Sequence, residues 1–171
     1  AGVIEAERVV AATGPFQHPV IPAIAPQDEG LIQVHSMDYR NPEQLPDGAV
    51  LVVGAGPVGL VAAMSLAAEG IPVSVFESSR ELPKDLRAST FHPPTLDMLD
   101  RFGVSDRLVE QGLVCPKWQF RDRQEGVVAT FDLGLLEGVT RHPYRLQCEQ
   151  WKLTEMLRDM IAETGLAEIH Y

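Results

Sequence analysis

Apolar and polar positions change their pattern near residue 48, and the change divides the chain into two textures. Before it, two short apolar signals stand out. VVAA (9–12) is apolar at successive positions, as a buried strand is, and Thr13-Gly14-Pro15 ends it. LIQVH (31–35) is a second, brief strand signal. Prolines at 19, 22 and 26 and the polar stretch RNPEQLPDG (40–48) fill much of the remainder. Proline removes a backbone donor and biases its predecessor toward extended backbone, so most of 13–48 is expected to be irregular connection. A connection of that length is unusual inside a compact domain.

From Ala49 the pattern is regular. AVLVVG is an unbroken apolar, β-branched run, which predicts a fully buried strand. Residues 57–69 predict a helix packed through small residues and ended by Gly70. IPVSVFE (71–77) predicts the next strand, and strand, helix and strand together make a βαβ unit with parallel strands. TLDMLDRF (95–102) sets Leu96, Leu99 and Phe102 at helical spacing and stops at Gly103. Ser105 is expected to cap a short helix that ends at Gly112. WQFRD (118–122) and VVATFDL (127–133), joined through QEG, predict an antiparallel hairpin. EQWKLTEMLRDMIAETG (149–165) carries Leu153, Leu157, Met160, Ile161 and Thr164 along one helical stripe, and AEIHY (167–171) starts a further strand. The fold class expected is α/β: a Rossmann-like βαβ dinucleotide-binding fold with a parallel sheet and a small antiparallel hairpin. The start at Ala1 and the strand just begun at 167 suggest a truncated form of it.

Composition narrows the function. A hydrophobic content of 45% belongs to a globular core, and no apolar stretch is long enough to span a membrane. A net charge of −10, with no Lys/Arg cluster, argues against a nucleic-acid or membrane-surface partner. Cys115 and Cys148 have no CxxC spacing, which predicts two reduced cysteines in a cytoplasmic protein. The histidines at 18, 35, 92, 142 and 170 lack paired ligand spacing, so no metal site is assigned.

Chemistry enters with GAGPVG (54–59), which follows a predicted strand and opens a predicted helix. Gly54 permits a tight turn, Gly56 lets a pyrophosphate approach the backbone, and Gly59 lets helix and strand pack closely. The helix N-terminus offers free N–H groups and a partial positive charge to the diphosphate. Glu77 ends the next strand, where a carboxylate accepts ribose hydroxyls and repels a 2′-phosphate. The acid favours FAD or NAD over NADP.

Three stretches carry a family resemblance: VLVVGAGPVGLVAAMSLAAEGIPVSVFE, LPKDLRASTFHPPTLDMLDRFGVSDRLVEQG and YRLQCEQWKLTEML. Through them, residues 49–171 resemble the class A flavoprotein aromatic hydroxylases, which include para-hydroxybenzoate and 3-(3-hydroxyphenyl)propionate hydroxylases. The resemblance implies that Gly54, Ala55, Gly56, Pro57, Val58 and Gly59 bind the FAD diphosphate and that Glu77 binds the adenosine ribose. It also implies FAD contacts from Arg87 and Gln150, with Gln147 an alternative to the latter. At family level it implies NAD(P)H as co-substrate, oxygen capture at the flavin and transfer to a phenolic ring.

Residues 1–48 depart from that family's usual beginning. VVAATGPFQHPVIP, then HSMDYRNPEQLPDGAVLVVGAG, is similar to the flavin-containing monooxygenase group, where the ATG segment ends an FAD domain and VLVVGAG opens an NADPH domain. Two domains are therefore expected: 1–48, an N-terminal strand and proline-rich connection, and 49–171, a partial FAD-binding domain. Burial argues that ERVVAATG (7–14) lies as a strand parallel to VLVVG (50–54). His92, His142 and Tyr144 are expected in loop or packing roles, and no catalytic residue is assigned. The alternative function is a nucleotide-binding module or recombined fragment without turnover.

Overall fold

The computed structural model describes residues 8–11, 32–35, 44, 48–84 and 88–171, the first two segments as backbone. It divides into two compact units, Ala1–Lys84 with Thr154–Tyr171, and Asp85–Leu153.

The first unit is built on a five-stranded parallel sheet. Its strands are β1 (Arg8–Ala11), β2 (Ile32–His35), β3 (Val50–Val53), β4 (Val73–Phe76) and β10 (Ala167–His170), in the order β10-β4-β3-β1-β2. The expected pairing of the N-terminal strand is present, with Val9 opposite Leu51 and Val10 opposite Val52. On the other side of β3, Val52 stands opposite Val75, and β10 pairs beyond with Ile169 opposite Val75. Val50 and Val52 are essentially inaccessible, as their unbroken apolar run predicts, and so is Val75 on β4. Helix α1 (Pro57–Ala68) connects β3 to β4 and buries Gly59, Leu60, Ala63, Leu66 and Ala67. Leu60 and Leu66 are buried completely, worth about 1.5–3 kcal/mol each relative to exposure.

The second unit contains β5 (Thr90–Phe91), α2 (Pro93–Asp100), α3 (Ser105–Gln111), β6 (Leu113–Cys115), β7 (Lys117–Asp122), β8 (Gly126–Asp132) and β9 (Arg145–Gln147). Leu96, Leu99, Val104, Leu108 and Leu146 are fully buried in it. Strands β5, β9 and β6 form an antiparallel sheet that the apolar pattern alone does not reveal. The predicted hairpin is β7 with β8, its register shifted between Phe120 and Arg121. One face stacks Trp118 on Phe131 at 4.2 Å, and the other pairs Lys117 with Asp132 at 3.0 Å.

Two expectations need correction. Ser105 is the first residue of α3, not its cap; its hydroxyl instead donates to the Asp100 carboxylate. The stripe of α4 (Gln150–Thr164) buries Leu153, Leu157 and Ile161 as expected, but Met156 and Thr154 take the places assigned to Met160 and Thr164. Met160 and Thr164 are half-buried, so the buried face is centred where the stripe places it and is broader than read.

Candidate functional site

The turn between β3 and α1 is set by one glycine conformation and two hydrogen bonds. Gly54 has φ +99, which a side chain would strain, and its N–H donates to the Phe76 carbonyl at 2.7 Å. The Ala55 N–H then donates to Glu77 Oε2 at 2.9 Å. The start of the turn is thus tied to β4 and to the residue that follows it.

Helix α1 starts without help from side chains. Gly56 is its extended N-cap, Pro57 occupies the first turn, no side chain caps it and no acid lies in that turn. Proline suits this position because its missing N–H would lack a helical partner anyway. The remaining first-turn N–H groups and the helix dipole are left for an anion. A Cβ at Gly56 would meet nothing within 4 Å, so the space above the turn is open. Val58 is exposed and Gly59 is buried, which turns the first helical turn's glycine face inward. These features fit a dinucleotide diphosphate.

Glu77 lies just past β4, with its own N–H held by the His170 carbonyl at 2.8 Å. Its Oε1 accepts from the Ser79 N–H at 2.8 Å and the Ser78 hydroxyl at 3.3 Å. Partial burial pushes this carboxyl up, but donors from Ser79, Ala55 and Ser78 outweigh it and leave it below its ordinary value. The acid therefore stays charged beside the turn. Its support from Ser78 and Ser79 was missed from sequence, although two serines after a strand are a turn signal.

The other expected contacts fall elsewhere. Arg87 lies outside the described residues. Gln150 opens α4 in the second unit, with its N–H donating to the Ala88 carbonyl at 3.0 Å. Gln147 sits on β9, and its Oε1 accepts from the Thr90 hydroxyl at 3.2 Å, so its side chain serves the sheet. His92 is the exposed residue before α2, and His142 is buried. Cys115 and Cys148 are free thiols, and burial pushes the Cys148 thiol up. No helix among the described residues is long and apolar enough to cross a membrane.

Comparison with known proteins follows the same lines. The FAD binding domain family model matches residues 47–171. Para-nitrophenol 4-monooxygenase of Pseudomonas sp. (strain WBC-3) is 33% identical over 122 residues, covering 71% of this chain and 30% of that protein. The crystal structure of p-nitrophenol 4-monooxygenase PnpA from Pseudomonas putida DLL-E4 matches at TM-score 0.68 and 32% identity. That match covers 72% of this chain and 31% of the other. Aklavinone-11 hydroxylase, solved with FAD and aklavinone, matches at TM-score 0.56 and 28% identity, over 74% of this chain and 26% of that one. The chain spans less than a third of the length of each of these relatives. The matched region takes in the turn, the acid and everything after them, and the chain belongs to the FAD-binding domain family, as part of the class A FAD-dependent aromatic hydroxylases.

Proposed function

We propose that the chain binds the ADP half of FAD and is the cofactor-binding portion of an aromatic-ring hydroxylating flavin monooxygenase that uses NAD(P)H and oxygen. The observation that carries the reading is the open, uncapped N-terminus of α1, joined through Ala55 to the charged Glu77. Gly54, Ala55, Gly56, Pro57, Val58 and Gly59 hold the diphosphate, and Glu77 accepts the ribose hydroxyls. Arg87 and Gln150 complete the contacts, Gln150 being favoured over Gln147 because the latter's side-chain oxygen is engaged with Thr90. When bound, the flavin supplies the redox chemistry, taking reducing equivalents from NAD(P)H and passing oxygen to a small phenolic substrate. The chain's own residues bind and orient the cofactor in a cytoplasmic enzyme. The hydroxylation requires no metal.

A second reading is a nucleotide-binding module without turnover, which the same turn and acid would serve equally. Both readings share one test. Calorimetry with FAD, ADP and NADPH is expected to rank FAD first and NADPH last, because Glu77 faces the position of a 2′-phosphate. Glu77→Ala should weaken FAD by about 1–3 kcal/mol, the scale of a hydrogen bond to a charged group. Tighter binding of NADPH than of FAD or ADP would overturn the assignment. Consumption of NADH that depends on a phenolic acid, measured with the FAD-loaded chain, separates the enzyme from the module.

A further inference from the structure

His142 is 2% exposed, and each of its ring nitrogens faces a carboxylate. Nδ1 lies 2.8 Å from Asp97 Oδ1, and Nε2 lies 3.5 Å from Asp100 Oδ1. The two acids stand three residues apart on α2, so one helix face grips both edges of one ring. A neutral imidazole carries a single N–H and a bare lone pair on its other nitrogen. One contact is then a hydrogen bond, while the other sets a lone pair against a carboxylate oxygen away from water. A second ring proton converts that repulsion into attraction. We propose that His142 is a proton-operated staple, holding the segment 140–144 ahead of β9 to α2 more firmly when its ring carries two protons.

The groups around the ring agree in sign. The Thr140 hydroxyl donates to Asp97 Oδ1 at 2.7 Å and accepts from the His142 N–H at 2.9 Å. Arg141 bridges Asp100 at 3.0 Å and Asp106 of α3 at 3.1 Å, and the Ser105 hydroxyl donates to Asp100. Tyr144 meets the ring edge-on, with centroids 5.8 Å apart. Asp97, Asp100 and Asp106 thus stand against the single guanidinium of Arg141, leaving room for one more positive charge. Donors occupy Asp97 Oδ1 and both oxygens of Asp100. The hydrogen bond from His142, then that from Thr140, holds the Asp97 carboxyl below its usual range.

The test uses the full 171-residue chain. Amide hydrogen exchange, corrected for its intrinsic pH dependence, should slow about tenfold at Tyr144–Gln147 between about pH 8 and pH 6, the scale of a charged hydrogen bond. Exchange in β3 and β4 should not change with it. Long-range proton–nitrogen spectra should show both ring nitrogens of His142 protonated at the lower pH, the ring being assigned through its contact with Tyr144. His142→Gln should flatten the exchange profile. If that variant does not fold, the wild-type spectra decide alone. Flat protection at Tyr144–Gln147, or a ring that keeps a bare nitrogen at pH 6, overturns the proposal.

Discussion

Glu77 carries two tasks in one side chain: it is the proposed ribose acceptor, and it also holds the turn through the Ala55 N–H at 2.9 Å. A carboxylate is suited to both because each of its oxygens accepts, while a glutamine amide presents donors on one side. Glu77→Gln would set that NH₂ group against the Ser79 or Ala55 N–H, at a cost of about 1 kcal/mol for a lost hydrogen bond at a partly exposed site. The carboxyl is held below its ordinary value of 4.5, so its contribution to stability is fully present above that pH. It is lost as pH falls through the lower, folded-state value. The variant should therefore unfold at lower denaturant near neutrality and show a shallower acid limb, both read by a denaturant series across pH. An unchanged acid limb would mean that the carboxylate is not tied to the turn. The position of Glu77 was legible because it closes a strand that the apolar run marks out. Its hold on Ala55 was not, since that contact joins distant residues. The pairing of His142 with Asp97 escaped for the same reason, because local spacing reports only near neighbours.

Elements long enough to repeat a period were legible: β3, α1, β4, the β7–β8 hairpin and α4 all lie where apolar spacing places them. Strands β5, β6 and β9 were not, because two or three residues cannot show a period and Leu146 alone is fully buried among β6 and β9. Their pairing specifies them instead. Leu146 stands opposite both Phe91 and Val114, so β9 is the middle strand and its neighbours must approach closely. Gly112, between α3 and β6, makes that approach possible. A Cβ there would lie 2.7 Å from Leu146 Cδ1, 2.8 Å from the Gln147 carbonyl oxygen and 3.0 Å from Cys148 Cβ. Its φ of −117 is open to any residue, so space and not backbone freedom requires the glycine. The leucine tip could turn aside, but the carbonyl belongs to β9 and cannot move without disturbing the sheet. Gly112→Ala should destabilise the chain by about 1–3 kcal/mol, as other overpacked sites do. Urea unfolding would measure it, and a loss below about 0.5 kcal/mol would mean β6 shifts freely.

At the scale of the whole molecule, a change of sequence texture near residue 48 coincides with no break in the sheet. Strands β1 and β2 precede the dinucleotide turn, yet they share a compact unit with β3, α1 and β4. The expected parallel pairing of the early strand with β3 is present, and it gives β3 a hydrogen-bonded neighbour on both sides. This matters for the site because β3 delivers the chain directly into Gly54. A chain beginning at Ala49 would keep every proposed diphosphate and ribose residue but leave one edge of β3 unpaired. Exposed strand edges lose their backbone partners to water and invite pairing between molecules. We expect the shortened chain to bind FAD several-fold more weakly, unfold at lower denaturant and associate at concentrations where the full chain does not. Calorimetry, urea unfolding and size-exclusion chromatography read the three effects. Adding residues 1–48 as a separate peptide should restore part of the loss, since parallel pairing needs no covalent link once the strands are in register. If the shortened chain matched the full one in stability and affinity, β1 and β2 would be passengers on an already sufficient core. The expectation rests on the opposite: a strand flanked on both sides holds its C-terminal turn in one place, and a turn held before the ligand arrives does not have to be ordered by it.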